Sequence, residues 1–426
     1  MKFAFFTLGC KVNLFETQAL EQLAQARGHE IVDRDADAVI INTCTVTSVS
    51  DHKNIRAFHR LRKDNPQAVI AACGCFAQTD PERVRATGEI DLVCGTGNRA
   101  EALALCEAAV EGRAVSCRAP ERGRYEVLPA GVPRGRTRAL LKIEDGCNHF
   151  CTYCIIPYAR GRVRSLPPAQ AAQEAARLEQ QGVHEIVLTG IEIASYGRDL
   201  QPAVSLADLL CDLLPAHPGI RFRLGSLDPR VVDADFCGRL MGLPNLARHF
   251  HLSLQSGCDS VLQRMGRKYT AEEYYQAVEK IRAAVPDASI TTDLIVGFPG
   301  ETEEEFETTL AFLEHCAFAA VHVFPFSVRE GTRAASLPGQ LSSQEKAVRA
   351  ERAKAVALRL SEAYRRSFVG KELIVLPEHH TGKFWAAHGT YGFPVYIEEE
   401  ERIEKNGPVS VQLEDLHRDG LRGKIL

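Results

Sequence analysis

The chain has 426 residues, enough for about three domains. Hydrophobic residues make up 45%, charged residues 25%, and the net charge is −4, which is typical of a globular protein and excludes a wholly basic nucleic-acid binder. No run of 18 apolar residues occurs, and the apolar stretch Phe3–Leu8 is too short for a signal peptide. We therefore expect a cytoplasmic protein that does not enter a membrane. In that reduced setting its 14 cysteines more often bind metal or do chemistry than form disulfides.

Short apolar runs alternate with helical stretches over the first 115 residues. This alternation predicts a parallel α/β layer over residues 1–117. The predicted strands are Lys2–Leu8, Ala38–Asn42, Ala68–Ala72 and Ile90–Val93, and the predicted helices are Leu14–Arg27, a stretch ending near Asp64, and Ala100–Val110.

Residues 118–137 break the alternation with five arginines and three prolines. This composition predicts a basic linker, which either meets a nucleic acid or is simply solvated. Its arginines are Arg118, Arg122, Arg124, Arg134 and Arg136, and Arg138 follows directly.

Strand and helix patterns resume over residues 138–366 in six longer units, which predicts a partial (βα)6 barrel. The predicted strands are Ala139–Ile143, Glu185–Thr189, Phe222–Leu224, His251–Leu254, Ser289–Val296 and Ala320–Phe324. A charged amphipathic helix is predicted over Gln344–Phe368. Residues 367–426 then read as a small β module with strands at Glu372–Leu376, Thr390–Ile397, Val409–Leu413 and Gly423–Leu426.

The loop after the first barrel strand holds three cysteines within eight residues. Cys147, Cys151 and Cys154 have the spacing C-x3-C-x2-C. Thiolates so close together are typical of iron–sulfur clusters, because one loop must wrap a compact inorganic core. Three ligands to a four-iron cluster leave one iron open for a further ligand. A structural zinc site is the alternative, but it would need a fourth ligand at a matching spacing.

A second set of cysteines follows the first three predicted strands. Cys10, Cys44 and Cys75 each come directly after a strand, about 30 residues apart. The carboxyl ends of parallel strands line one edge of a sheet, where ligands bind, so the three thiols could converge. The spacing alone leaves two interpretations open: a second cluster, or unrelated cysteines of the core.

Eight segments around and between these cysteines carry a family pattern. They are TLGCKVNLFE (Thr7–Glu16), NTCTVT (Asn42–Thr47), GCFAQ (Gly74–Gln78), GCNHFCTYCIIPYARGRVRS (Gly146–Ser165), LTGIEIASYG (Leu188–Gly197), HLSLQSGC (His251–Cys258), RMGRKYT (Arg264–Thr270) and DLIVGFPGETEEEF (Asp293–Phe306). Together they resemble the radical S-adenosylmethionine methylthiotransferase family over essentially the whole chain. The other eight cysteines are interpreted as core residues.

The resemblance implies an α/β protein of three domains that carries two four-iron clusters. An N-terminal domain, residues 1–117, would hold an auxiliary cluster on Cys10, Cys44 and Cys75. A radical core, residues 138–366, would hold the second cluster on the C-x3-C-x2-C cysteines. Residues 367–426 would form a small β-barrel of the TRAM type, which binds RNA in many relatives.

The resemblance also implies a reaction and the partners that it needs. S-adenosylmethionine cleaved at the open iron would give a radical that removes hydrogen from a target carbon, and a methylsulfur group from the auxiliary cluster would join that carbon. Electrons would come from a donor of the flavodoxin or ferredoxin type, and sulfur from a separate sulfur donor. No catalytic residue beyond the cluster ligands is predicted.

Further residues are predicted as contacts to the cofactor or to RNA. Residues at strand ends or in the family segments are expected to contact S-adenosylmethionine, the alternative being turn or core residues; they are Tyr153, Gly190, Glu192, Ser226, Gln255, Val296 and Gly297. Three arginines after the cluster loop are candidates for tRNA phosphates or the cofactor carboxylate, the alternative being a solvated strand end; they are Arg160, Arg162 and Arg164.

The TLGCKVN segment resembles the branch that acts on N6-threonylcarbamoyladenosine at tRNA position 37, as does HVFPFSVREGTRAA (His322–Ala335). The branches acting on isopentenyladenosine in tRNA and on a ribosomal-protein aspartate carry other versions, and both remain alternatives. Non-catalytic electron transfer by an iron–sulfur protein, or RNA binding around zinc, are alternatives of a different class.

One feature departs from the tRNA branches. Residues 371–426 contain 7 basic and 10 acidic residues, including the run Glu398–Glu401, which is a poor surface for phosphates. The tRNA is then expected to contact the linker arginines and the helix predicted over Gln344–Phe368. The basic residues of that helix are Lys346, Arg349, Arg352, Lys354, Arg359, Arg365 and Arg366.

Overall fold

The structure is a computed structural model that describes residues 1–117, 125–131, 137–240, 242–398, 403 and 407–426. The linker arginines Arg118, Arg122, Arg124, Arg134 and Arg136 lie outside the described residues, as do residues 399–401 of the acidic run. Within the described ranges, no helix combines the length and the apolar character that crossing a bilayer requires.

The N-terminal region is a five-stranded parallel sheet with helices on both faces. Its elements are β1 (Lys2–Thr7), α1 (Lys11–Ala26), β2 (Glu30–Ile31), β3 (Ala38–Thr43), α2 (Ser48–Asp64), β4 (Val69–Gly74), α3 (Cys75–Thr79), α4 (Pro81–Arg85), β5 (Leu92–Val93) and α5 (Arg99–Val110). The strand order is β2-β1-β3-β4-β5. All six residues of the central strand β3 are buried, which explains its apolar composition on both faces.

The central region is an open barrel of parallel strands that follow one another in chain order. Its elements are β6 (Arg138–Lys142), β7 (Glu144–Asp145), α6 (Ile156–Arg160), β8 (Arg164–Ser165), α7 (Pro168–Gln180), β9 (Glu185–Thr189), α8 (Leu206–Ala216), β10 (Arg221–Leu224), β11 (Ser226–Leu227), α9 (Ala234–Leu240), β12 (His249–Leu252), α10 (Asp259–Met265), α11 (Ala271–Ala284), β13 (Ser289–Val296), α12 (Glu303–Cys316), β14 (Ala320–Pro325) and α13 (Ser343–Arg366). The sheets β10-β9-β6 and β11-β12-β13-β14 form its wall.

Side-chain caps fix where several of these helices begin. Capping boxes start α8 at Ser205, α11 at Thr270, α12 at Thr302 and α13 at Ser342. The helix after the segment GFPGET therefore begins at its threonine. The neighbouring Glu301 instead accepts hydrogen bonds from the Gly297 N–H and from Arg349.

The C-terminal region is a closed five-stranded β-barrel. Its strands are β15 (Glu372–Thr381), β16 (Phe384–His388), β17 (Pro394–Glu398), β18 (Val409–His417) and β19 (Gly420–Ile425), in the order β15-β16-β17-β19-β18. This is the α/β fold with a small terminal barrel that the sequence predicts. The sequence interpretation missed β16, because its residues FWAAH include no β-branched side chain and only five positions.

Buried charges fix the C-terminal barrel against the central one. Glu185 at the start of β9 pairs with Arg221 and Arg223 on β10. Arg223 also donates to the carbonyl oxygens of Gly389 and Thr390, which belong to the C-terminal barrel. Burial acts to raise the pKa of Glu185, but the neighbouring arginines overcome it and lower this pKa to about 2.

Glu185→Gln is expected to weaken this junction by about 3 kcal/mol, since it leaves buried guanidinium groups without a counter-charge. The only tryptophan, Trp385, lies in the C-terminal barrel, so its fluorescence during urea unfolding reports this region. A carboxylate with a depressed pKa stabilises the fold above its unfolded value of 4.5 and loses that contribution as pH falls toward 2.

The difference in stability between wild type and this variant should therefore be constant above pH 5 and shrink below pH 4.5. Glu372→Gln, on the exposed side of the same barrel, is the matched control and should change little. A pH-independent difference would contradict the assignment.

Candidate functional site

Three thiols lie at the carboxyl edge of the N-terminal sheet. Cys10 follows β1, Cys44 follows β3 directly, and Cys75 begins α3 after β4. The glycines before two of them have left-handed backbones, with φ of 121° at Gly9 and 91° at Gly74. A Cβ atom at Gly9 would lie 3.0 Å from the Cβ of Cys44, so only glycine lets these two segments approach.

The three thiols converge, as the strand order requires. Burial raises the pKa of Cys75 to about 11; Arg160 opposes this rise, while the thiols of Cys10 and Cys44 add to it. Burial also raises the pKa of Cys44, and the Cys10 thiol contributes there too. Charges act on one another in this way only across short distances in a poorly solvated space. The structure thus assembles the second cysteine set from residues that are far apart in the chain.

The C-x3-C-x2-C loop forms the opposite wall of the site. Burial raises the pKa values of Cys147 and Cys154 to about 12, and in both cases a neighbouring thiol of the loop adds to the effect. Cys75 of the other triad also raises the pKa of Cys154. Cys75 begins α3, which packs against α6 directly after the loop, so the two triads lie on neighbouring elements of the N-terminal sheet and the central barrel.

The donor sets fit four-iron clusters better than single metal ions. In a tetrahedral zinc site with Zn–S bonds of 2.3 Å, the sulfur atoms lie about 3.8 Å apart. Among the described residues, the only metal-ligating group whose donor atoms all lie within 4.8 Å is His251, Asp293 and His322. Neither triad is that compact, so the described residues do not form a closed tetrahedral zinc site at either triad.

A buried ion cluster joins the two walls. Arg160 at the end of α6 donates to Glu16 at 2.8 Å, to Asp145 at 3.1 Å and to the side-chain oxygen of Asn13 at 2.7 Å. Lys142 of β6 pairs with the same two carboxylates at 3.2 and 3.3 Å. Burial acts to raise the pKa of Glu16, but the surrounding cations lower it to about 2.

This ion cluster includes residues that sequence reasoning missed. Glu16, Lys142 and Asp145 were not predicted as site residues, although Lys142 stands between the apolar run Ala139–Leu141 and Ile143. Such placement is a signal in itself, since charged residues are almost never fully buried unless they are paired.

The predicted cofactor contacts fall into two groups. Tyr153 and Gln255 line a cavity of about 310 Å³ together with Cys154, Asp293 and Phe324. The second group lies at strand ends without lining that cavity: Gly190 packs on Glu144, Glu192 caps the turn Ile193–Ser195, Ser226 is exposed, Val296 is buried, and the Gly297 N–H is taken by Glu301. The assignment of all seven to S-adenosylmethionine stays a prediction.

The three candidate RNA arginines have different environments. Arg160 is 1% exposed and pairs with Glu16 and Asp145. The prediction that it contacts RNA is therefore wrong. Arg164 is directed inward, toward Asp145 and the carbonyl oxygen of Arg160. Arg162 is exposed and lies 4.8 Å over the ring of Phe150.

The basic residues of α13 do not form the free surface that the sequence suggests. Most of them pair with acidic residues or with backbone oxygens: Arg349 with Glu301, Arg352 with Glu303 and Glu307, Lys354 with Glu351, Arg359 with Glu314, and Arg365 with the carbonyl oxygens of Arg418 and Gly420. Arg138 likewise pairs with Glu378 instead of continuing a basic linker. Apart from Glu351, these acidic partners lie at least 45 residues away in the sequence, which is why composition alone overestimated the basic surface.

Four of the remaining cysteines gather in the core of the N-terminal sheet. They are Cys73, Cys94, Cys106 and Cys117. The sulfur atoms of Cys94 and Cys117 lie 2.9 Å apart, as a thiol pair. This set packs with apolar residues in the core of the sheet, in agreement with its interpretation as packing residues.

Comparisons with known proteins agree with this architecture. The model of the Radical SAM superfamily matches residues 141–313, and that of Uncharacterized protein family UPF0004 matches residues 2–95. The radical S-adenosylmethionine methyltransferase TsrM from Kitasatospora setae superposes with a TM-score of 0.60 at 14% identity, covering 78% of this chain and 74% of that one, which establishes similarity of fold alone.

Similar sequences extend over most of the chain. The Threonylcarbamoyladenosine tRNA methylthiotransferase MtaB of Bacillus subtilis is 40% identical over 88% of this chain and 84% of its own length. The protein of that name from Aquifex aeolicus is 36% identical over 88% and 92%. The tRNA-2-methylthio-N(6)-dimethylallyladenosine synthase of Moorella thermoacetica is 37% identical over 88% and 87%. With its two thiol triads and this similarity, the chain belongs to the radical S-adenosylmethionine methylthiotransferase family.

Proposed function

We propose that this protein attaches a methylthio group to carbon 2 of N6-threonylcarbamoyladenosine at position 37 of tRNA. The observation that carries the proposal is the pair of thiol triads on neighbouring elements, with Cys154 of one triad lining the adjoining cavity. The threonylcarbamoyl specificity rests on relatives of that name at 35–40% identity. Dimethylallyladenosine synthases are nearly as similar, at 34–37% identity. The identity of the modified base therefore needs its own test.

The residues of the chain have separate tasks in this reaction. Cys147, Cys151 and Cys154 would hold the radical cluster, and Cys10, Cys44 and Cys75 the auxiliary one. When bound, the clusters and S-adenosylmethionine supply the radical chemistry that replaces a carbon–hydrogen bond by a carbon–sulfur bond. The electrons would come from a flavodoxin or ferredoxin, and the sulfur from a separate donor.

The protein sets the geometry and the solvent access of the site. The Arg160–Glu16 ion pair ties the helix after the radical cysteines to the helix that begins beside Cys10, so the two triads are held at a fixed separation. Ile295, Phe324 and Phe326 line the cavity between them. This apolar lining limits water, which would otherwise quench a reactive intermediate.

An aromatic and basic patch beside the radical loop is suited to RNA. Phe150 is 37% exposed and Tyr158 44%, their rings meet edge to face at 5.7 Å, and Arg162 covers Phe150. Phe150 has a left-handed backbone, with φ of 50°, at a position between two cluster cysteines. Exposed rings with a nearby guanidinium group are the elements by which proteins stack and hold single-stranded bases. We infer that this patch meets the anticodon loop.

Replacing Cys10, Cys44 and Cys75 together by alanine should separate the two halves of the reaction. The reconstituted variant is expected to hold about four irons in place of about eight and to cleave S-adenosylmethionine to 5′-deoxyadenosine, yet to form no methylthio product. Anaerobic iron analysis and chromatography of the products measure this.

The matched control is the double variant Cys94→Ala/Cys117→Ala, which should keep about eight irons and full activity. Loss of S-adenosylmethionine cleavage in the triple variant, or stoichiometric zinc in the wild type, would contradict the assignment.

The modified base can be tested directly. The purified enzyme should methylthiolate an anticodon stem-loop that carries N6-threonylcarbamoyladenosine and leave one with dimethylallyladenosine largely unchanged, as measured by nucleoside mass spectrometry. A preference for dimethylallyladenosine would assign the protein to the branch of the family that modifies that base. Activity on neither RNA, with cluster reduction intact, would favour a ribosomal-protein substrate or electron transfer.

Phe150→Ala and Arg162→Gln should each weaken tRNA binding about tenfold, because one removes a stacking ring and the other a cationic contact. S-adenosylmethionine cleavage without RNA should be unchanged, and Arg162→Gln should also lower the salt dependence of binding. Arg359→Gln on α13 is the control, since that guanidinium group pairs with Glu314. A larger loss in the α13 variant than in the patch variants would place the tRNA on α13.

A further inference from the structure

One arginine donates directly to a thiol of the C-x3-C-x2-C loop. Arg267 lies two residues after the end of α10, and its Nη1 is 3.4 Å from the Sγ of Cys151. A guanidinium group stays charged in proteins, so this contact becomes a charge-assisted hydrogen bond when the sulfur is a thiolate. The sequence analysis assigned no role to Arg267, although it belongs to the family segment Arg264–Thr270.

The remaining nitrogens of Arg267 hold its side chain in a fixed position. Its Nε donates to the hydroxyl of Tyr269 at 2.9 Å, and its Nη2 donates to the carbonyl oxygen of Ser253 at 3.2 Å. The guanidinium carbon also lies 4.8 Å from the centre of the Tyr269 ring. Because all three nitrogens are engaged, the guanidinium group cannot turn away from Cys151 without breaking hydrogen bonds inside the protein.

The backbone of the cysteine loop is fixed at the same point. The Thr152 N–H donates to the carbonyl oxygen of Met265 at 2.9 Å, and the Thr152 hydroxyl donates to that of Arg264, also at 2.9 Å. Gly266 then ends α10 with a left-handed backbone, with φ of 74°. The segment that carries the thiol and the segment that carries the guanidinium group are thus bonded to each other.

The charge of Arg267 has no ion-pair partner of its own among the described residues. Its side chain is 7% exposed, and it pairs with Asp228 at 3.6 Å. Asp228 pairs more closely with Arg230, at 2.8 Å. One carboxylate is therefore shared by two guanidinium groups. The remaining charge of Arg267 acts on Cys151 at short range and in a poorly solvated space, where electrostatic effects are strong.

Hydrogen bonds to ligating sulfur atoms and the local charge are among the factors that set the reduction potential of an iron–sulfur cluster. Reduction takes one electron from the donor of the flavodoxin or ferredoxin type, which is oxidised by one electron. Added negative charge is stabilised by a nearby cation, so a cation at a ligating sulfur raises the potential. No bond forms or breaks at the guanidinium group, and its protons stay on its nitrogens.

We propose that Arg267 is a positioning residue that raises the reduction potential of the radical cluster through Cys151 and so eases its reduction by the electron donor. The inference rests on the assignment of Cys151 to that cluster in the proposed function, and it adds a residue that controls electron entry. The competing role is purely structural, in which Arg267 only ties Tyr269 and Ser253 to the loop. A structural role would leave the potential unchanged.

The experiment measures the potential of the radical cluster alone. Its parent is the reconstituted full-length chain with Cys10, Cys44 and Cys75 replaced by alanine, which is expected to hold one cluster. Arg267→Gln removes the charge, and Arg267→Lys keeps the charge but not the planar fork. The reduced fraction is followed by electron paramagnetic resonance at a series of fixed potentials, and iron content is measured for each protein.

Arg264→Gln is the matched control. This arginine belongs to the same family segment, but its guanidinium group is directed to Glu305 on α12 and to the carbonyl oxygen of Gly300. Its replacement therefore removes one cation from the neighbourhood without removing a donor to Cys151. The control should have the potential of the parent.

We expect Arg267→Gln to lower the equilibrium constant for reduction about tenfold, which is a shift of about 59 mV to lower potential for a one-electron couple. Arg267→Lys should lie between this variant and the parent. With the auxiliary cysteines intact, Arg267→Gln should cleave S-adenosylmethionine several times more slowly with reduced flavodoxin. A stronger reductant, titanium(III) citrate, should restore the rate, because the defect lies in electron entry.

Other outcomes overturn one of two separate statements. An unchanged potential in Arg267→Gln overturns the role of Arg267 alone, as does slow cleavage that the stronger reductant does not restore. Partial loss of iron does not hide the shift, because the signal comes only from molecules that hold a cluster. If the glutamine variant assembles no cluster, an unchanged potential in Arg267→Lys overturns the role. A parent without a four-iron cluster overturns the proposed function instead.

Discussion

Glu16 on α1 and Arg160 on α6 form an ion pair whose side chains are inaccessible to solvent, between the sheet that carries one thiol triad and the loop that carries the other. Burying two charges costs several kcal/mol per ion, and the cost is offset only where the remaining lone pairs and protons find partners. Most of them do, because Arg99, Lys142 and Asp145 complete the cluster, while the Nε atoms of Arg99 and Arg160 have no hydrogen-bond partner among the described residues. The main effect of this ion pair is to fix the position of α1 relative to α6. Any other docking of the sheet would leave several charges unpaired.

The same cluster also supports the thiols. Burial raises the pKa of Cys75, and the charge of Arg160 opposes this rise. Thiolates, and not thiols, ligate metals, so a buried cation favours the form of the cysteine that a cluster needs. Arg160 thus connects the elements that carry the two triads, and its charge favours the thiolate form of Cys75. Its position at the end of the helix that follows Cys154 links both effects to the loop of the other triad.

The sequence was informative where function depends on local spacing or on strand order. C-x3-C-x2-C predicts one site by spacing alone, and the parallel order of β1, β3 and β4 predicts the convergence of Cys10, Cys44 and Cys75. It failed for charges whose partners lie far away in the chain. Glu16 is 144 residues from Arg160, so a reading of neighbouring residues interprets that arginine as a surface group. The arginines of α13 were misjudged for the same reason, since Glu301 before α12 and Glu303 and Glu307 on α12, more than 40 residues earlier, pair with them.

The position of the C-terminal barrel depends on one arginine of the central barrel. Arg223 pairs with Glu185 at the lower end of the barrel and donates to backbone oxygens of the C-terminal barrel. The guanidinium group cannot leave Glu185 without exposing a buried carboxylate, so the C-terminal barrel is fixed by these charges. Because the terminal barrel is acidic overall, its attachment through arginines of the central barrel is electrostatically favourable. The chain therefore holds its acidic domain through basic residues of the central barrel.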